Sequence, residues 1–317
     1  MRLGLGLLAL SAAAVLATTA FAAPYLIVGN DEKLVWDDEG KPVLSAPGRD
    51  NVVIVDLAEP EAPKVVATLP LKNSIVGPPV NLAISPDGSL ALVADSVDVI
   101  KEGEALKQVL DNKIHVIDLK SSPPRLVTSL AVGKQPSGLD ISSKGDQALV
   151  ANRGDGTVSL LSIRGTEVSV LDTVTLGPAS DQVAHVVFTP DGQRALAVKF
   201  ATHKVSLLDI RDGKVTYNKV DLAVGLWPYN VVVAPSGQIA LTADNGNSGA
   251  SDGSTDTVSV VDLEANPPRI TDRIVVGDGP EGLGISPKGD LAAAAILRGG
   301  TPRRRLIFTT RTALLRS

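Results

Sequence analysis

Apolar and polar positions alternate through most of this chain in short runs. Residues 81–95 read NLAISPDGSLALVAD: one apolar run, a Pro-Asp-Gly turn, and a second apolar run closing on a polar residue. Variants of the phrase return at 138–152, 185–199, 230–244 and 282–296. Their turn glycines (Gly88, Gly145, Gly192, Gly237, Gly289) fall about 50 residues apart, the period of a structural repeat. Each interval continues with a third β-branched run, such as TVSLLSI (157–163), KVSLLDI (204–210) or TVSVVDL (257–263). A fourth run then enters a Gly/Pro turn, as in RIVVG at 273–277. Period-2 runs punctuated by Gly, Pro, Asn and Asp predict strands. No stretch offers the helical spacing of a crossover helix between parallel strands.

Four short strands per repeat predict an all-β fold, a β-propeller of four-stranded antiparallel blades. Residues 25–30, 51–57 and 64–71 supply the second, third and fourth strands of a blade whose first strand is missing. In a closed ring that strand comes from the other end of the chain, and residues 282–286 are the expected donor. Four complete blades and one shared blade follow, about five in all. The propeller domain is placed at 23–300.

Composition then narrows the reading. Apolar residues make up 44% and aromatics 3%, so the core must rest on Val, Leu, Ile and Ala. A net charge of −5 gives nucleic acid no general foothold. The chain has no Cys, which excludes disulfides, thiolate metal sites and Cys nucleophiles. Residues 1–22 carry Arg2, a short apolar run and the A-x-A site Ala20-Phe21-Ala22. They predict a Sec-type signal and an exported mature protein, periplasmic or secreted, with no membrane span after cleavage. Residues 301–317 hold five Arg, and no Asp or Glu follows Asp290. This basic tail of atypical composition reads as a chain shortened within a longer propeller, as a docking tail, or as a strand completing the shared blade.

The repeat resembles the YVTN-type propeller repeats. The matching residues are Ser85-Pro86-Asp87-Gly88, Val116-Ile117-Asp118, Val132-Gly133 with Pro136, and Val150-Ala151-Asn152. It departs where Leu92, Leu149 and Leu241 replace the Tyr of that motif. The resemblance implies a ring that is typically seven-bladed and kinship with lactonase-like propellers, without one implied activity.

Function is sought on the face opposite the Pro-Asp-Gly turns. Aligning the repeats brings Asp95, Asn152, Lys199 and Asp244 to one level of that face, and Asn81, His185 and Asn230 to another. With Arg153, Trp227, Tyr229 and Asn245 they form the expected ligand-binding set. The competing reading is that Asn and Asp here merely cap strand ends. His185, Asp95 and Asp244 are the catalytic candidates. Asp244, Asn245, Asn247, Asp252 and Asp256 lie in a Gly-rich loop of oxygen donors suited to Ca2+. His115 is expected to pack and His203 to be solvated. The insertion at 97–113 has Ile100, Leu106, Val109 and Leu110 near helical spacing, which predicts a short rim helix. The leading functional expectation is a binding protein presenting its loop face to a small polar molecule or a periplasmic protein. A lactonase-like, divalent-metal-assisted hydrolase is the alternative.

Overall fold

The computed structural model describes residues 24–36, 42–74, 79–248, 251–297 and 311–316. The leader and most of the basic tail lie outside them. Strands dominate, and the helical turns are the two short segments Ala179–Asp181 and Phe200–Thr202. Among the described residues no helix is long and apolar enough to cross a membrane.

Four sheets have four strands each, in chain order and antiparallel, as successive hairpins require. Blade 1 is Leu82–Ile84, Leu90–Glu102, Ala105–Asp118 and Arg125–Ala131. Blade 2 is Pro136–Ile141, Gln147–Asn152, Thr157–Arg164 and Glu167–Thr175. Blade 3 is Val183–Phe188, Arg194–Lys199, Lys204–Arg211 and Lys214–Ala223. Blade 4 is Pro228–Val233, Ile239–Asp244, Thr257–Asp262 and Arg269–Val275. The first strands of successive blades pack on one another and form the inner wall of the propeller.

The alternation buries one apolar layer between each pair of neighbouring blades. Leu149 and Leu160 of blade 2 meet Val186, Phe188 and Leu208 of blade 3. Val205 of blade 3 meets Val231, Ala240 and Val261 of blade 4. Each such side chain taken from water contributes roughly 1.5–3 kcal/mol before entropy is subtracted.

Two expectations change at the ends. The N-terminal sheet (Tyr25–Asn30, Asn51–Asp56, Lys64–Leu69) has three strands among the described residues. The expected donor, Pro280–Ile285, pairs instead with Leu291–Ile296, which pairs with Arg311–Arg316. The single shared blade is thus two three-stranded sheets, one at each end of the row. The register explains this: Pro280 faces Ile296 as Pro228 faces Asp244, so this strand has the same hairpin partner as every other inner strand.

The rim helix is also corrected. The second and third strands of blade 1 run on past Asp95 as a long hairpin, with Val97 opposite Leu110 and Glu102 opposite Ala105. Val97 and Val99 are both buried, a period-2 burial that a helix could not produce. Gly103, at φ 66°, supplies the left-handed residue that the tight turn needs.

Candidate functional site

The aligned polar residues do not open onto the mouth. They turn into the blades and bond across the strands. Asn152 Nδ2 donates to Thr157 Oγ1 and to Ser159 Oγ, both at 2.9 Å, and Ser159 meets Thr173 at 3.1 Å. In blade 3, Ser206 Oγ donates to Asp221 at 2.7 Å, and Lys199 Nζ donates to Asp221 at 3.1 Å, to Tyr217 at 3.2 Å and to the Leu176 carbonyl at 2.8 Å. Burial works against the Lys199 charge, but the bonds to Tyr217 and Asp221 outweigh it and raise its pKa. In blade 4, Asp244 accepts from Thr242 at 2.7 Å, Thr257 at 2.9 Å and Ser259 at 2.6 Å. In blade 1, His115 takes the third-strand place of Ser159, Ser206 and Ser259, between Ser129 Oγ at 2.7 Å and the Lys72 carbonyl at 2.8 Å. Asn152 and Lys199 therefore sit in polar ladders that tie strands two, three and four together, while Asp244 ties strands two and three.

His185 is buried where the inner strands of blades 2, 3 and 4 converge. Its Nδ1 accepts from the Val231 N–H at 3.2 Å, and its Cδ2 and Cα press on Gly138 of the preceding blade. Burial lowers its pKa from 6.5 to about 4, against the opposing bonds to Asn230, Leu139 and Val231. The folded state thus binds fewer protons than the unfolded state between these values. The stability held by neutral His185 is present above pH 6.5 and is lost as pH falls towards 4. Asp95 acts in the opposite sense, since burial raises it from 3.8 to about 7 and acid relieves its cost. The His185 effect is isolated by comparing variants. Urea unfolding of His185→Gln and wild type should differ by about 2 kcal/mol less at pH 4.5 than at pH 7.5. An unchanged difference would place His185 in contact with water.

Asp95 belongs to a second buried group, at the junction of the N-terminal sheet and blade 1. Lys33, 1% exposed, donates to Asp50 and to the Asn73 carbonyl at 2.6 Å, and lies 3.2 Å from Asp31. Asp95 Oδ1 is buried nearby with no hydrogen-bond partner among the described residues. Asn81 Nδ2 is tied to the Ser74 carbonyl at 3.0 Å.

The catalytic candidates Asp95, His185 and Asp244 are thus locked into separate junctions, and the structure does not bring them together. The loop donors separate as well. Asp244 points into its blade, Asp256 accepts from the Gly279 N–H at 2.8 Å, and exposed Asp252 closes a local turn on Ser254 at 2.8 Å. Asn247 is half-buried and Asn245 buried. Among the described residues no three His, Asp or Glu side chains converge as a metal site would need. This set does not fit Ca2+.

The side chains that do gather at the loop face stand one residue further along. A repeated device places them. Gln135, Gln182 and Trp227 each precede an inner strand at φ 53° to 54°, the left-handed region that non-glycine residues rarely enter. Each carbonyl accepts the N–H of the residue just past the second strand: Arg153 at 2.9 Å, Phe200 at 3.1 Å and Asn245 at 3.0 Å respectively. The inner strand then bulges, slipping its register between Pro136 and Leu139, Val183 and His185, Pro228 and Asn230. Repeated backbone strain of this kind marks a place where geometry matters.

Arg153 and Phe200 meet across the boundary of blades 2 and 3, with the guanidinium 4.9 Å from the ring centroid. Arg153 also donates to Gln182 Oε1 at 2.6 Å. Phe200 lies 5.0 Å from both Trp227 and Tyr229, and His203 meets Trp227 edge-on at 4.9 Å. His203 is a bonded member of this cluster, since its Nδ1 accepts from the Trp227 N–H at 2.9 Å, rather than a solvated turn residue. Burial raises Tyr229 to about 12, with the Glu281 charge adding to the shift and Arg153 opposing it. Glu281, half-buried at the start of the next inner strand, is pushed by burial to about 7. Of the expected ligand set, Arg153, Trp227 and Tyr229 come together; Gln182 and Phe200 join them unforeseen. The signal was the strand period itself: when one residue turns into its own blade, the next turns the other way, Arg153 to a half-buried place and Phe200 into the layer shared with blade 4.

Open clefts lie elsewhere. One of about 450 Å³ sits on the turn face between blades 1 and 2, lined by Asp87, Lys120 and Lys144. Its turn residues already satisfy each other, with Asp87 held at about 2 by Ser85 and Ser89. It is open and solvated, so the mouth cluster is the better candidate.

No family model matches the chain, and no curated protein does. Solved structures do. A functionally unknown protein from Desulfotomaculum acetoxidans aligns at TM-score 0.62 and 14% identity, over 80% of this chain and 72% of its own. A protein from Lactobacillus plantarum aligns at 0.62 and 13%, over 83% and 76%. A putative 6-phosphogluconolactonase from Bacteroides fragilis aligns at 0.51 and 14%, over 88% and 89%. At such identities the likeness shows the propeller fold alone.

Proposed function

We propose that this chain is an exported propeller that binds a small polar ligand at the mouth between blades 2 and 4. The observation that carries the reading is the Arg153–Phe200–Trp227–Tyr229 cluster. A charged fork, a half-exposed indole and a phenol are set side by side on strained backbone. Phe200 and Tyr229 are buried in the layer between blades 3 and 4, and this rigid base holds half-buried Arg153 and partly buried Trp227 at its edge, where a cation and an indole can meet a ligand. The leader expected at residues 1–22 would carry it to the periplasm or outside the cell, and the loop face is equally suited to a protein partner that inserts a polar group.

The test uses Trp227 as its own reporter. The chain has two Trp, so Trp36→Phe leaves Trp227 as the sole indole. Small-molecule pools from the exporting cell's medium should change its emission saturably. Arg153→Ala in that background should weaken the response about tenfold or more, the cost of losing one charge-assisted bond. A response equal in both proteins defeats the reading.

A second reading, a lactonase-like hydrolase, rests on the likeness to the Bacteroides fragilis protein. Its expected carboxylates and histidine are separately buried, so any water activation would fall to Glu281. Lactone turnover that is abolished in Glu281→Gln, measured with and without EDTA, would favour this reading over binding alone.

A further inference from the structure

We infer that a recess between blades 3 and 4, apart from the mouth, binds a small uncharged ring molecule carrying one hydroxyl group. The recess measures about 190 Å³ and is walled by Leu196, Leu207, Leu263 and Pro268. The three leucines belong to the apolar layer that the two blades share, so the recess is a gap in that layer. Thr189, beside the turn that closes on Gly192, also lines it, which puts it toward the turn face. An apolar cavity of about 150 Å³ is enough to hold a benzene ring, so a six-membered ring fits here.

A widened bulge accompanies the gap. In blades 1, 2 and 4 the outer strand carries one extra residue at this level, Val127, Leu171 and Thr271 respectively. In blade 3 the outer-strand residues Asn218, Lys219 and Val220 stand against Leu207 alone, between the pairs Ser206–Asp221 and Leu208–Tyr217. Lys219 takes φ 64° to make this longer bulge, and Asn218 Oδ1 accepts the Val220 N–H at 3.0 Å. Leu207 is left without an outer-strand partner, and both Leu207 and Asn218 line the recess. Bulges re-aim side chains and gather beside functional sites. This one departs from the repeat only in the blade whose Leu207 walls the gap.

The polar rim selects the ligand. Arg194 faces Asp209 in register, two residues from the facing pair Leu196 and Leu207, so all four stand on one side of the sheet. Arg194 and Asp209 both line the recess and are half-buried, yet no ion pair joins them among the described residues. The guanidinium reaches the Leu263 carbonyl at 3.5 Å, a long contact that leaves most of its fork unused. A carboxylate entering here would be drawn to Arg194 and repelled by Asp209, and an ammonium the reverse. A hydroxyl accepts from Arg194 and donates to Asp209 at once, while its ring lies against the leucines. An apolar wall with a few placed polar groups is the usual make-up of a small-molecule site.

The experiment titrates the protein with benzyl alcohol, toluene, benzoate and benzylamine, following binding heat and the methyl signals of labelled leucines. Benzyl alcohol should bind saturably and move the Leu196, Leu207 and Leu263 signals, with Trp227 emission unchanged. It should bind about fivefold more tightly than toluene and about tenfold more tightly than either charged probe. Arg194→Gln should favour benzylamine over benzoate, and Asp209→Asn should favour benzoate over benzylamine, a reversal that lost packing alone would not produce. Leu207→Phe should fill the recess and abolish binding without lowering the melting temperature. Toluene, benzoate or benzylamine binding as tightly as benzyl alcohol overturns the inference, as does benzyl alcohol indifferent to Leu207→Phe. Binding that changes Trp227 emission and leaves the leucine signals still belongs to the mouth, and it overturns this site while leaving the other reading standing. No saturable binding by benzyl alcohol overturns it outright. If Leu207→Phe does not fold, the two rim variants decide: one order of the charged probes in both overturns the inference.

Discussion

Lys33→Met should lower stability by about 3–5 kcal/mol at pH 8, measured by urea unfolding. Lys33 is 1% exposed, and its ammonium is shared by Asp50, Asp31 and the Asn73 carbonyl. Removing it leaves two carboxylates with side chains no more than 2% exposed and without their counter-charge. Asp95, already raised to about 7, loses the larger of the two attractions that offset its burial, Lys33 acting more strongly than Lys72. Asp95 would then be pushed further upward, so the penalty should shrink as pH falls below its value. Restoring neutrality with Asp50→Asn beside Lys33→Met should recover much of the loss. A penalty below about 1 kcal/mol at pH 8 would mean that water reaches the group.

Gly138→Ala should be nearly as damaging, at roughly 3 kcal/mol or more, because an added methyl has nowhere to go. It would lie 2.8 Å from both the Ala184 carbonyl and the His185 Cα, and closer still to the imidazole. Two of these are backbone atoms of the adjacent inner strand, which cannot swing aside as a flexible side chain can. The equivalent Gly282 provides the control, since its methyl would meet only Ala295 Cβ, at 3.3 Å. Gly282→Ala should cost less than about 1 kcal/mol. Equal losses at the two positions would show that helical or strand propensity, not the blade-to-blade fit, decides the outcome. Because His185 is the wall that Gly138 meets, the damage should also appear as a shifted His185 ring signal.

The architecture was legible because it repeats. The turn phrase around Gly88 returns at Gly145, Gly192, Gly237 and Gly289, and each return fixes where a hairpin closes. The site was displaced by one residue. Asn152, Lys199 and Asp244 drew notice as polar residues at matched positions. Polar identity does not report direction, and in these blades the polar position is an inward rung. Arg153 and Phe200 stand one step on, where the pleat reverses beside the bulge before the inner strand, Arg153 half-buried and Phe200 packed in the layer against blade 4. That bulge rests on left-handed Gln135, Gln182 and Trp227, residues whose names give no hint of positive φ. The segment at 97–113 misled for a different reason. Ile100, Leu106 and Val109 fit a helical stripe, whereas Val97 and Val99 fit a strand, and β-branched residues favour the latter.

Because each apolar layer is shared only by adjacent blades, cohesion along this row is a chain of nearest-neighbour couplings. Such an array unzips from its ends. Blades 2 and 3 each have a four-stranded neighbour on both sides, while the two end sheets have three strands each among the described residues. Amide exchange should therefore be slowest around Val158 and Val205 and fastest in the outermost sheets. The mouth residues Arg153 and Phe200 lie in that slow-exchanging middle. Trp227 and Tyr229, at the start of blade 4, stand nearer the C-terminal sheet that opens more readily, so one side of the mouth can loosen while the other stays fixed.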